Sequence, residues 1–182
     1  MNFTGKLLIA PPSIRGNFWQ KTVIFCTEHH HRGAMGLVLN KPMKITLKEF
    51  CKQVGMDVDV QGNVYVGGPV NSKALTLIHS GEWSCENTMQ INNHFAISSH
   101  VDLLEKIVAG DMPSKWRLVL GLCAWTPDQL DSEVIGKHPY NHNQSWLLAT
   151  PTYQNVFELD QVDQWTHSIE CSSMEFVQKV LA

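Results

Sequence analysis

Gly121-Leu-Cys-Ala-Trp-Thr-Pro-Asp-Gln-Leu-Asp-Ser-Glu133 is the stretch whose reading decides the fold. Trp116 to Leu122 reads as a buried strand, and a helix follows at once. Thr126 is placed to cap that helix, Pro127 suits a first helical position, and Gln129 completes a capping box. Leu130 and Val134 supply its buried stripe, and Gly136 ends it. A buried strand that runs straight into a capped helix holds whatever lies beside the junction in a defined geometry. No residue pattern in the stretch names a reaction.

Outward from this junction the chain is a series of short strands with helices between them. Lys6 to Ala10 is a strand that Pro11-Pro12 must end, because proline donates nothing to a ladder. Thr22 to Thr27 is a second strand, followed by a Glu28-to-Gly33 loop, and Gly36 to Leu39 is a third, closed by Asn40-Lys-Pro42. Thr46 and Glu49 make a capping box for a helix running to Val54. Asn63 to Val66 and Ala74 to His79 read as strands, and Met89 to Ile97 as one or two more, broken at Asn92-Asn93. Ser99 is placed to cap a helix that ends at Ala109, with Val101, Leu104, Ile107 and Val108 inside. Lys137 to Gln144 is a polar loop, and Ser145 to Ala149 a strand stopped by Pro151. Phe157 to Ala182 reads as two helical segments, the second beginning near Ser172 or Ser173. Strands in runs, without strict β-α-β alternation, predict an α+β fold with a mixed, largely antiparallel sheet. With no repeat, linker or low-complexity tract, one domain is expected over 1–182.

Composition excludes several classes of function. At 182 residues, 43% hydrophobic and 17% charged, the chain can bury a proper core as a soluble globular protein. A net charge of −3 argues against a primary nucleic-acid binder, which concentrates basic residues on one face. No apolar run approaches the length of a membrane span, and the N-terminal apolar patch lacks a basic segment ahead of it, so it reads as a strand and not a signal peptide. The five cysteines are scattered and odd in number, with no C-x-x-C pair, which suits reduced thiols in a cytoplasmic protein.

Several groups of residues could carry chemistry. Among them, the N–H groups at the start of the Thr126 helix could hold a phosphate or carboxylate. Thr126 and Gln129 would satisfy some of those groups and Asp128 would repel an anion, so Asp128, Asp131 and Glu133 read as dipole partners or a solvated face. Glu28-His29-His30-His31 holds good metal ligands, and alternate side chains of an extended segment would put His29 and His31 on one face. Such a site needs a third ligand such as His79 or Glu133, and no established ligand spacing supplies it. Cys123 lies just ahead of a helix N-terminus, where a thiolate would be favoured, with His79 as its base; the plainer reading is a small apolar residue in a buried strand. Gly67-Gly68 and Gly33-to-Gly36 allow close backbone approach but match no phosphate-binding fingerprint, so plain turn geometry is the better account. Lys44, Lys48 and Lys52 read as the wet side of a helix, and the tryptophans Trp19, Trp83, Trp125, Trp146 and Trp165 as core or, where exposed, as interface anchors.

Taken together and in order, these pieces resemble the YqgE/AlgH family of bacterial proteins. The resemblance rests on Leu7-Leu-Ile-Ala10 with Pro12, Phe18 through Ile24, Glu28-His29, Gly33 through Asn40 with Pro42, Gly67 through Val70, Leu77 through His79, and Gly121 through Glu133. Each piece alone is common; their order and spacing are specific. The resemblance implies an α+β fold whose bifurcated sheet rolls into a pseudo-barrel with flanking helices. It also implies a bacterial cytosolic protein with no agreed catalytic residues, one branch of which is named as a transcriptional regulator. It nominates Glu28, His29, Asn40, His79, Trp125, Gln129 and Glu133. Ala124 and Asp128 stand where relatives of the family generally have glycine.

No nucleophile–base–orienter set assembles from spacing alone, so the expected function is a non-enzymatic regulatory or protein-interaction module without a cofactor. It would be a monomer or homodimer with a protein partner, and would not act on nucleic acid or membrane. The competing class is a small, metal-assisted hydrolase or transferase using the Glu28-His29 loop and His79.

Overall fold

A computed structural model describes residues 1–99, 102–139 and 145–182. The strands are β1 (Leu7–Ile9), β2 (Val23–His30), β3 (Gly33–Val38), β4 (Pro42–Thr46), β5 (Asn63–Val66), β6 (Val70–Ser80), β7 (Thr88–Gln90), β8 (Phe95–Ser98), β9 (Trp116–Trp125) and β10 (Leu147–Ala149). The helices are α1 (Leu47–Gln53), α2 (Leu103–Ala109), α3 (Gln129–Ile135) and α4 (Gln161–Leu181), with a π-turn over Gln154–Glu158. The architecture is α+β, with a largely antiparallel sheet curled into a half-barrel and helices on its flanks.

Strand order is β10-β1-β2-β3-β9-β6-β8-β7, with β4 and β5 as a side branch. The branch point is β9. Its first half pairs in parallel with β5, from Val64 with Leu118 to Val66 with Leu120. Its second half pairs antiparallel with β3, from Gly36 with Cys123 to Ala34 with Trp125. The neighbour changes at Gly121, whose φ of +81° suits glycine. The loop Gly67-Gly68 lies against β9 so closely that a Cβ on Gly68 would sit 2.2 Å from the Leu122 carbonyl. These glycines are therefore set by close backbone approach to β9 at the fork, which turn geometry alone would not require.

Strands β1 and β2 are continuous apolar runs because both of their faces are covered. Leu7, Ile9, Val23 and Phe25 join the core beneath α4, while Leu8, Ile24 and Cys26 join the core that holds Trp125, Leu130 and Trp146. A third core packs Leu47 and Cys51 of α1 and Leu103 and Ile107 of α2 against Val64, Leu77 and Leu118. Each fully buried large side chain contributes about 1.5–3 kcal/mol, so the branched sheet is anchored on all sides.

Several local expectations are corrected by tertiary structure. The strand expected to end at Thr27 runs on to His30 and turns back through His31-Arg32, so Glu28, His29 and His30 are strand residues paired with β3 and not a loop. Residues from Pro42 to Thr46, read only as the end of a turn, form β4 against β5. The Thr46–Glu49 capping box is present in both directions. At α2 the cap is Asp102, and the Ser99 hydroxyl donates instead to the Leu75 carbonyl (3.0 Å); Val101 lies outside the described residues, as does Tyr140 to Gln144 of the expected polar loop. The two C-terminal segments are one helix, α4, within which the Ser173 hydroxyl donates back to the Ile169 carbonyl (2.9 Å) and so does not end it. Among the described residues no helix is long and apolar enough to cross a membrane.

Candidate functional site

At the C-terminal end of β9 the expected strand-to-helix junction forms, but the helix starts later: its cap is Asp128, so Thr126 is not the N-cap and Pro127 not the first helical residue. Gln129 reaches back with Oε1 to accept from both the N–H and the hydroxyl of Thr126, each at 3.0 Å. Thr126 therefore gives away its hydroxyl proton, and no capping box forms. Asp128 takes the left-handed conformation at φ +61°, and the regular helix starts at Gln129. The need for a positive φ accounts for a position where the family resemblance expects glycine.

This turn aims Glu133 back at the strand it came from. Its Oε2 accepts the indole N–H of Trp125 (2.9 Å) and that of Trp146 (2.8 Å), and its Oε1 accepts the Gln129 amide (2.9 Å). One carboxylate thus ties the end of β9, the start of α3 and the segment entering β10. Trp19 meets Trp146 edge to face, with ring centroids 5.8 Å apart and planes at 88°. Together with Ile14, Asn17, Pro69, Val70, Cys123 and Ala124 these residues line a cavity of about 290 Å³. Three of the nominated residues, Trp125, Gln129 and Glu133, meet in it.

The other four do not. His29 has a nearly buried side chain stacked on Phe3, with ring centroids 5.0 Å apart. Its Nδ1 accepts the Phe3 N–H (3.1 Å), so Nε2 carries the proton and donates to Asp131 (3.0 Å). The imidazole is a strap holding the N-terminal segment to the far flank of α3, with no lone pair left for a metal. Glu28 pairs with His30 at 2.6 Å on the surface, and His31 stands in the turn beyond. Asn40 is buried as a backbone bracket: it accepts the Val23 N–H (2.9 Å) and donates to the carbonyls of Lys21 (2.7 Å) and Gln161 (3.0 Å). His79 is fully buried; its Nδ1 donates to the Ser80 carbonyl (2.8 Å) and its Nε2 accepts from the Ser98 hydroxyl (2.8 Å). Burial lowers its proton affinity and keeps it neutral.

His29 and His79 also lie at opposite ends of the sheet. His79 pairs with Trp116, whereas His29 shares the row of Ala34 and Trp125. Ten-residue β9 separates those rows by about 30 Å. A hydrolytic site drawing on both has no geometric basis. Among the described residues no three His, Cys, Asp or Glu side chains converge on a metal-sized point. Cys123 lines the cavity, but burial, reinforced by the Glu133 charge, pushes its thiol up to about 12. It is a neutral thiol at ordinary pH, and its S–H faces the Gly67 carbonyl (3.6 Å).

Two features escaped the sequence reading. Trp19 and Trp146 were among the scattered tryptophans, and nothing local says that they meet. Arg117, a lone charge inside an apolar strand, did carry a signal, since a buried cation demands partners. It is 3% exposed and donates to the carbonyls of Leu39, Phe157 (3.3 Å) and Leu159 (3.0 Å) and to Gln164 Oε1 (2.9 Å). Asp160 lies 3.0 Å away, and the Tyr65 ring centroid 4.3 Å from the guanidinium carbon. Arg117 is the post to which the C-terminal helix is fastened.

Known proteins share the fold and much of the sequence. A UPF0301 protein of Shewanella denitrificans is 32% identical over 166 residues, covering 88% of this chain and 85% of the relative. One from Gluconobacter oxydans is 30% identical over 174 residues, covering 93% and 90%. The solution structure of AlgH from Pseudomonas aeruginosa superimposes with a TM-score of 0.76 at 27% identity, covering 94% of this chain and 89% of that one. A crystal structure of a Corynebacterium diphtheriae protein shares the fold at a TM-score of 0.68 and 22% identity, covering 88% of this chain and 82% of that one. Residues 7–176 match the AlgH-like profile, and the chain belongs to that family.

Proposed function

We propose that the protein is a non-enzymatic recognition module, regulatory in role, whose binding site is the tryptophan-lined cavity at the end of β9. One observation carries this reading: three tryptophans that are distant in sequence converge on one open cavity that contains a carboxylate but no activated nucleophile. Tryptophans around an accessible hollow are what binding surfaces use as anchors. The rim supports a partner larger than the cavity. Val70, on its wall, is 43% exposed. An exposed apolar side chain beside a polar-centred hollow suits a protein partner that inserts one group. The net charge of −3 favours such a partner over nucleic acid.

The test is a protein-observed NMR screen of the intact protein against a ligand library, followed by recovery of the ligand. The expected result is saturable binding that moves the indole N–H signals of Trp125 and Trp146, with the ligand recovered chemically unchanged. Conversion of the ligand that stops on Glu133→Gln would replace this reading with an enzyme.

A further inference from the structure

The cavity has a sign and a chemistry. Glu133 accepts three hydrogen bonds, all from neutral donors. Its negative charge is therefore solvated but not cancelled, and a carboxylate has about four acceptor positions, so capacity remains on Oε1. No lysine, arginine or histidine is among the described residues lining the cavity. Asp128 caps the adjoining helix, whose last turn holds no basic residue, while Asp131 is taken by His29 and the Met1 ammonium. The raised Cys123 thiol is in keeping with an apolar, electronegative interior. An anion is repelled here and a cation is attracted.

Three further side-chain groups on the wall are engaged within the protein. Asn17 Oδ1 accepts the Trp19 N–H (2.9 Å), Gln129 Oε1 is taken by Thr126, and the Cys123 thiol faces Gly67. A bare ammonium, which brings three N–H donors into the site, would find acceptor capacity mainly at Glu133. What the cavity offers instead is aromatic surface. The N–H edges of Trp125 and Trp146 are turned to Glu133, each of these two residues is 7% exposed, and Trp19 meets Trp146 edge to face, so the three indoles border the hollow together. Aromatic walls around a single carboxylate are the chemistry that holds alkylated ammonium groups. A cavity of about 290 Å³ is at the small end for ligand pockets and suits one such head group.

We infer that the cavity formed by Trp19, Trp125, Trp146 and Glu133 binds a methylated ammonium group. This inference rests on the recognition reading of the same site. The head group has two possible sources, a methylated lysine presented by a protein or a free small molecule of the choline type.

The experiment titrates the full chain with four probes: choline, its uncharged tert-butyl isostere 3,3-dimethylbutan-1-ol, a trimethyl-lysine peptide and the same peptide unmethylated. Indole N–H signals and tryptophan fluorescence are the readouts. Choline is expected to bind about tenfold tighter than the uncharged isostere, the scale of a desolvated cation–π contact. Trp19→Leu, which leaves the Glu133 hydrogen bonds in place, should weaken choline by a similar factor. Glu133→Gln should reduce the preference over the isostere to the part that the aromatic rings supply. Methylated peptide above choline, and above unmethylated peptide, assigns the group to a protein; choline above both peptides assigns it to a small molecule. Equal binding of choline and isostere overturns the cation inference while leaving a recognition site. Binding of neither choline nor methylated peptide overturns it as well, and chemical conversion of any probe overturns the recognition reading beneath it.

Discussion

The two ends of β9 treat a charge in opposite ways. At the start, Arg117 is enclosed: three backbone carbonyls, one side-chain amide, one carboxylate and one aromatic face surround it. At the finish, Glu133 stands in the wall of an open cavity with neutral donors only. A buried charge whose partners fill its capacity holds parts of a fold together. A charge held in position by dipoles, but not neutralised, is still available to a ligand. The same strand thus carries a fastening at one end and a receptor at the other.

The largest effect expected from breaking this contrast is at the closed end. Arg117→Ala strands Gln164 and the buried carbonyls, and should cost about 3–5 kcal/mol in urea unfolding. A loss below about 1 kcal/mol would show that the guanidinium is not the fastening described. Glu133→Gln should cost less, about 1–2 kcal/mol, because an amide oxygen still accepts one indole. Its main effect should fall on binding. Were the two substitutions to cost the same, the ends of β9 would not differ as argued.

The closed end should also respond to acid. His79 has its proton affinity lowered by burial from the ordinary 6.5, so the unfolded chain takes up a proton first. Its contribution to stability is complete above pH 6.5 and is lost as the pH falls below that value. For Glu82, burial alone would raise the carboxyl, but the Ser114 N–H and the Ser114 and Ser80 hydroxyls outweigh it and hold it at about 2. Its contribution is lost as the pH falls from about 4.5 toward 2. Urea midpoints across pH should decline in these two windows, and Glu82→Gln should flatten the lower one while sparing the upper. The smallest change expected is at the open end. Asp128→Gly relieves a left-handed aspartate and should stabilise by about 1 kcal/mol, read as a rise in melting temperature.

What could be read from sequence was what local chemistry determines. The Thr46–Glu49 box formed as read, because both partners lie within one turn. The Thr126 cap did not form: its hydroxyl donates to Gln129, and the helix begins only after the left-handed Asp128. β4 went unread because Pro42 looked like a terminator, yet β4 is paired on one side only, by β5, where a missing N–H is tolerated. Glu133, Gln129 and Trp125 were visible as a motif. Their meeting with Trp146 was not, because it depends on β10 pairing with β1, a contact between distant parts of the chain. His29 and His79 attracted attention as imidazoles, but only tertiary structure reveals that the nitrogens of each are satisfied internally.

The central claim is that an uncancelled carboxylate among tryptophans makes the end of β9 a receptor for a cation. Its most direct test is an indole N–H spectrum of the protein, which has six tryptophans, with and without choline. The account expects Trp19, Trp125 and Trp146 to shift together and saturably, while Trp83, Trp116 and Trp165 stay in place. Shifts confined to the second set, or no shift in the first at saturating choline, would contradict it.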